Sequence, residues 1–225
     1  MIQIEAFDGR EALTDTAARA IAEQLTGGGL FIATGGSTPG PVYDRLSQMD
    51  LPWTEISVTL TDERFVDPAA EDSNGRMVRA RLLTAKAAGA RFLPLRAGGR
   101  TPAEDALAAE AWLLRLPPAA VELMGMGEDG HVASLFPDAP ELAEGLEFDG
   151  ERLCLPVPEA RLAPLVPRIT LTARALIRTR LIVLLITGED KRAMVERIGR
   201  EEAYAPPAAT FLRQDRCPVR VLWAA

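Results

Sequence analysis

The chain has 225 residues, with 25 Lys and Arg against 32 Asp and Glu, a formal net charge of −7 at pH 7. At 48% hydrophobic and 25% charged it can bury a sizeable core, which excludes wholesale disorder, and its acidic balance disfavours a general nucleic-acid binder, which needs a basic face for the phosphate backbone. The longest strongly apolar run, residues 181–186, falls far short of the about 20 residues of a membrane-spanning helix, and residues 1–5 show no basic segment leading into an apolar one, so neither a membrane span nor a secretory signal is expected.

In chain order, residues 2–7 read as a strand. Residues 11–25 read as a helix, with apolar side chains at 13, 17, 18, 21, 22 and 25, and the triple glycine at 27–29 stops it. Residues 30–33 form a buried strand, followed by a Gly-rich turn and a helix to about 49; residues 56–60 form the next strand. Ser73 is placed to cap a helix reaching 84, and 92–95 is a short strand. Thr101 to Glu104 is a capping box with Pro at the first helical position, opening a helix to about 116. Strands are expected at 121–124, 168–172, 181–187 and 219–223, with a helical turn at 173–177 and a helix at 190–198. The Pro-rich stretch 155–167 reads as a loop.

Strands alternating with helices predict an α/β fold: one domain over residues 1–225, Rossmann-like, with a largely parallel sheet and helices on both faces. In such sheets ligands bind beyond the carboxyl ends of the strands. Three polar clusters follow predicted strands, so they are expected on one edge. Gly35-Gly36-Ser37-Thr38-Pro39 lies between a strand and a helix, where glycines and a helix N-terminus suit an anion, although a tight turn with a capped helix explains the same residues. In Asp62-Glu63-Arg64, extended backbone would send Asp62 and Arg64 to one side, with the Arg64 fork offered to a phosphate; a solvated charged loop is the plainer reading. Gly125-Met126-Gly127-Glu128-Asp129-Gly130-His131 carries the only histidine of the chain, the side chain best suited to accept a proton near neutral pH.

Two lysines, Lys86 and Lys191, stand against 23 arginines. Lys191 opens a helix after the strand 181–187, where a cation is electrostatically disfavoured, so a compact positive charge is wanted there. Arg168 begins a strand and either joins the anion site or flanks the sheet. Cys154 and Cys217 form no Cys-x-x-Cys and read as reduced thiols, which points to the cytoplasm; one His and two separated Cys make a zinc site improbable.

Taken together, Thr34 to Pro39, Thr61-Asp62-Glu63-Arg64, Ser73-Asn74, the His131 stretch through Val132-Ala133-Ser134-Leu135-Phe136-Pro137, Pro167 to Thr172 and residues 188–191 resemble the 6-phosphogluconolactonase family, in the wider group that includes glucosamine-6-phosphate deaminase/isomerase. Two departures stand out: Val132 where the family usually has Thr, removing a hydroxyl near the site, and Gly75-Arg76 where a bulkier residue often follows Ser-Asn.

The resemblance implies hydrolysis of 6-phospho-D-glucono-1,5-lactone to 6-phosphogluconate in the oxidative pentose phosphate pathway, with no metal or organic cofactor. The expected partner is the 6-phosphogluconolactone substrate, with no nucleic acid or membrane, in a monomer or small homo-oligomer. His131 would be the base that activates water, and Asp129 or Asp62 would orient it or the substrate hydroxyls. Gly35, Gly36, Ser37, Thr38, Arg64, Arg168 and Lys191 would hold the phosphate. The deaminases of the group usually follow the His loop with an acid that supports the His, and carry an aromatic residue at the position of Arg64. Here Ser134 to Pro137 contains no acid, which favours the lactonase. A sugar-phosphate sensor without catalysis would lack the intact base.

Overall fold

A computed structural model describes residues 2–159 and 162–225. Seven strands form a parallel sheet: β1 (Ile4–Phe7), β2 (Gly29–Ala33), β3 (Ile56–Leu60), β5 (Arg91–Phe92), β6 (Val121–Met124), β9 (Ile182–Thr187) and β10 (Val219–Ala224), in the order β1-β10-β9-β6-β2-β3-β5. The inner strands are almost continuously buried, and β2 and β9 are written as near-unbroken apolar runs, as suits strands covered on both faces, while β3 carries Ser57 and Thr59 and β6 carries Glu122. The edge strands β1 and β5 are more exposed or very short.

Helix α1 (Arg10–Leu25) packs across β1, β6, β9 and β10 and buries Leu13, Ala17, Ala18, Ile21 and Leu25, matching the helical period of the sequence. Helix α2 (Gly40–Leu46) is shorter than expected, as is α3 (Asn74–Arg81), which Ser73 caps by accepting from the Arg76 N–H at 3.0 Å. Helix α4 (Pro102–Leu113) starts at the predicted box, with Thr101 accepting from the Glu104 N–H; the Glu104 carboxylate reaches the Arg100 N–H. After a single turn, α5 (Leu142–Gly145), and another, α6 (Ala173–Leu176), come α7 (Glu189–Arg200) and α8 (Pro207–Arg213).

A second, antiparallel sheet joins β4 (Asp62–Arg64), β8 (Arg168–Leu171) and β7 (Cys154–Val157), in the order β4-β8-β7. Only β8 was expected. Strand β7 runs from Cys154 into the stretch 155–167 read as a loop, because Pro156 breaks the strand pattern; an edge strand tolerates a proline, and β7 is an edge. Residues 160 and 161 of that stretch, like Met1, lie outside the described residues. Both cysteines are free and buried. Among the described residues no helix is long and apolar enough to cross a membrane.

The order of the large sheet fixes where a ligand fits. From β2 the chain runs outward to β3 and β5, then returns to β6 on the other side of β2 and runs outward to β9 and β10. The loops beyond the carboxyl ends of β2 and β6 therefore diverge at this reversal and leave a crevice.

Candidate active site

Loops leaving the carboxyl ends of β2, β3, β6 and β9 close around a cavity of about 240 Å³ at that crevice. Its lining holds Gly35, Gly36, Ser37, Thr38, Asp62, Arg64, His131, Arg168 and Lys191, so the chain brings together every expected site residue except Asp129, which stands behind His131.

The Gly-rich turn is anchored by a residue that gave no sequence signal. The fully buried Tyr43 of α2 accepts a hydrogen bond from the Thr34 N–H at 2.9 Å and donates to the Thr34 carbonyl at 2.6 Å. Burial pushes the phenol above its ordinary pKa, so it stays protonated and able to donate. This clamp sets the direction in which residues 34–39 leave β2. Gly35 then lies against the amide of Asn74, with no room for a Cβ.

The cations come from both sheets. On β4 the strand alternation sends Asp62 and Arg64 to the cavity and Glu63 away from it. Glu63 is buried and accepts from the N–H groups of Arg64, Asn74 and Gly75 and from the Ser73 hydroxyl, at 2.7 to 3.0 Å. Burial raises its pKa, and those four donors oppose the rise. Arg64 and Arg168 are direct cross-strand partners in the antiparallel ladder. Like charges facing each other this way repel. Among the described residues neither makes an ion pair, and each has a buried Nε–H without a partner. Arg168 donates through one terminal nitrogen, Nη2, to the Leu162 and Pro164 carbonyls, and burial pulls its pKa down. Lys191, in the first turn of α7, adds a third cation with no ion pair among the described residues, whereas Lys86 is paired with Asp50 at 2.7 Å. Two unused guanidinium donors, an ammonium and a Gly-rich turn before a helix make a setting for a doubly charged anion such as a phosphate ester.

Across the cavity stands His131. Its Nδ1 lies 2.5 Å from the Asp129 Oδ1, and its ring is 4.8 Å from that of Phe136. A carboxylate on Nδ1 keeps the ring proton there and leaves the Nε2 lone pair available. Gly127 lies directly beneath the ring, where a Cβ would collide with it, and its N–H is held by the His131 carbonyl at 2.9 Å. Asp62 takes a different part: it accepts from the Ser134 hydroxyl at 2.6 Å and the Thr61 hydroxyl at 3.0 Å. Asp129 thus lies on the imidazole, and Asp62 on Ser134 and Thr61.

Two further features were not foreseen. Ala133 lines the cavity in the left-handed region, φ 51°, an unfavourable conformation for a residue with a Cβ. Val132 is fully buried in the core and does not line the cavity, so the hydroxyl missing there is not missing from the cleft.

Residues 8–223 match the family model described as glucosamine-6-phosphate isomerases/6-phosphogluconolactonase. A 6-phosphogluconolactonase of Caulobacter vibrioides is 47% identical over 99% of this chain and 97% of its own length. One of Mesorhizobium japonicum is 42% identical over 97% and 90%. The crystal structure of a 6-phosphogluconolactonase from Shewanella baltica superposes with a TM-score of 0.93 at 34% identity, covering 100% of this chain and 98% of the other.

Proposed function

The chain belongs to the glucosamine-6-phosphate isomerase/6-phosphogluconolactonase family, and we propose that it hydrolyses 6-phospho-D-glucono-1,5-lactone to 6-phosphogluconate, the lactonase step of the oxidative pentose phosphate pathway. It is a lactone hydrolase, like the relatives it matches along nearly its whole length. The observation that carries the reading is the pairing of two functions across one cleft. On one side two cross-strand arginines keep buried donors unused; on the other a lone histidine is held by a carboxylate.

A lactone carbonyl is already electrophilic, so an activated water suffices. Neutral His131 takes a proton from water at Nε2 as its oxygen bonds to C1. The tetrahedral adduct collapses, the bond from C1 to the ring oxygen breaks, and the imidazolium returns the proton to that oxygen. Asp129 holds the tautomer and steadies the transient charge. Arg64, Arg168 and Lys191, with the turn of Gly35, Gly36, Ser37 and Thr38, bind the phosphate and fix the carbonyl against His131. Asp62, already committed to two hydroxyl donors, offers its remaining lone pairs to a sugar hydroxyl. No step calls for a cofactor. The enzyme works in the cytoplasm as one domain over residues 1–225, a monomer or small homo-oligomer, without nucleic acid or membrane.

The test is lactone hydrolysis by His131→Ala, corrected for spontaneous ring opening. kcat is expected to fall about 10²- to 10⁴-fold, the range of general acid–base assistance, with KM little changed. Wild-type turnover by folded His131→Ala protein would sink the general-base role. Ammonia release from glucosamine 6-phosphate would instead assign the deaminase chemistry.

A further inference from the structure

Segment 72–75 is bound to each residue of β4 in turn. The Asn74 amide donates to the Asp62 carbonyl at 2.8 Å. The N–H groups of Asn74 and Gly75 and the Ser73 hydroxyl donate to the Glu63 carboxylate at 2.7, 2.7 and 3.0 Å. Arg64 donates through one terminal nitrogen to Asn74 Oδ1 and, at 3.2 Å, to the Asp72 carbonyl. The other face of the Asn74 amide closes on Gly35, the first glycine of the turn. One buried side chain therefore touches β4, the Arg64 guanidinium and the Gly-rich turn, and it lies in the wall of the cleft.

This arrangement has a directional consequence. Arginine has a long, flexible stem, and its fork binds a phosphate well only when its plane is fixed. Here a terminal nitrogen of Arg64 is occupied by an asparagine, a neutral acceptor that does not cancel the charge, while the Nε–H edge is left without a partner. An aspartate in place of the asparagine would hold the guanidinium too, but would neutralise it beside an incoming anion. Glu63 supplies the missing carboxylate one residue away, on the opposite side of β4, where it fastens the start of α3 and faces away from the cleft.

We propose that Asn74 is a positioning residue of the phosphate site: it presets the Arg64 guanidinium for the substrate's phosphate, and Glu63 holds Asn74 in place. The proposal rests on the phosphate reading of the Arg64 and Arg168 pair. The same geometry gives Asn74 no direct part in the chemistry at C1, so its loss should register first in substrate binding.

The experiment is a double-mutant cycle of wild type, Asn74→Ala, Arg64→Ala and the double variant. It reads kcat and KM for the lactone and the inhibition constant of inorganic phosphate. Each single variant is expected to raise KM and the phosphate inhibition constant about 10- to 100-fold, the range for losing hydrogen bonds to a charged group, and any fall in kcat, from a less well placed carbonyl, should be no larger in Asn74→Ala than in Arg64→Ala. The double variant should be no worse than Arg64→Ala, because Asn74 acts through Arg64. Multiplying effects would overturn the proposal while leaving the phosphate reading standing. A fall in kcat at unchanged KM would overturn it as well. Unchanged KM in Arg64→Ala would overturn the phosphate reading and this proposal with it. Asn74→Leu, which keeps the bulk and removes both amide hydrogen bonds, repeats the cycle should the alanine variant not fold.

Discussion

The two sheets of this molecule are built on opposite terms. The seven-stranded sheet is apolar and continuous: Leu184 of β9 is buried between Met124 of β6 and Val221 of β10, and its neighbours along the strand are Val183 and Leu185. The three-stranded sheet is short and sets two arginines directly opposite each other in its ladder, one of which, Arg168, lies where burial works against its charge. The first arrangement is what folding alone would select. The second is unfavourable in isolation and would become favourable if an anion satisfied the unused donors, as the proposed phosphate site requires. One sheet supplies the energy of the fold; the other spends a little of it on function.

Substitutions in the two sheets should therefore separate stability from binding. The largest effect is expected at Leu184→Ala, which deletes a buried branched side chain from the middle of the parallel sheet. Loss of its burial and the cavity left behind should cost about 2 to 5 kcal/mol in chemical denaturation, with KM of the surviving folded enzyme unchanged. Arg168→Met should do the reverse. KM for the lactone should rise about 10- to 100-fold for want of charge-assisted hydrogen bonds. Stability should hold or increase, since a buried cation with no ion pair among the described residues gives way to an apolar side chain of similar length. If Arg168→Met instead lowers the melting temperature as much as Leu184→Ala does, the small sheet is held together by that arginine and the contrast fails.

The same division decides what could be read from the residues alone. Strands such as β9 and β6 announce themselves because a strand buried on both faces is an apolar run, and the start of α4 is marked by a local exchange between Thr101 and Glu104. His131 was legible because it is the only imidazole and follows a strand in a Gly-rich loop. The small sheet was not legible. Asp62, Glu63 and Arg64 form a strand only by pairing with residues 168–170, a contact across about a hundred residues that no local pattern encodes. Pro156 further hides β7. Tyr43 was missed, and Asn74 was seen only as part of the Ser73-Asn74 motif and given no role, for a related reason: each is hydrogen-bonded to a segment that becomes its neighbour only after folding. The end of the sheet at which the site forms followed from sequence; the carboxylate that partners each group did not.

One residue of the large sheet breaks its own rule, and it gives the smallest expected effect. Glu122 lies in the middle of β6, fully buried, with neither carboxyl oxygen hydrogen-bonded among the described residues. Burial raises its pKa well above the ordinary carboxylate value. In the unfolded chain this carboxyl ionises near about 4.3, whereas in the folded chain it keeps its proton. Between those two values the native state binds more protons than the unfolded state, so stability falls as pH rises. Arg64 and Arg168 impose no such slope, because a guanidinium remains charged throughout that window. In Glu122→Gln the slope is removed, although the amide still lacks partners. Melting curves should place the variant nearest to wild type at about pH 4 to 5, with the difference shifting in its favour as pH rises from there. KM should not change, because Glu122 does not line the cleft. Parallel curves across that range would mean that Glu122 is ionised and solvated in the native state, and that the large sheet, like the small one, accommodates a charge.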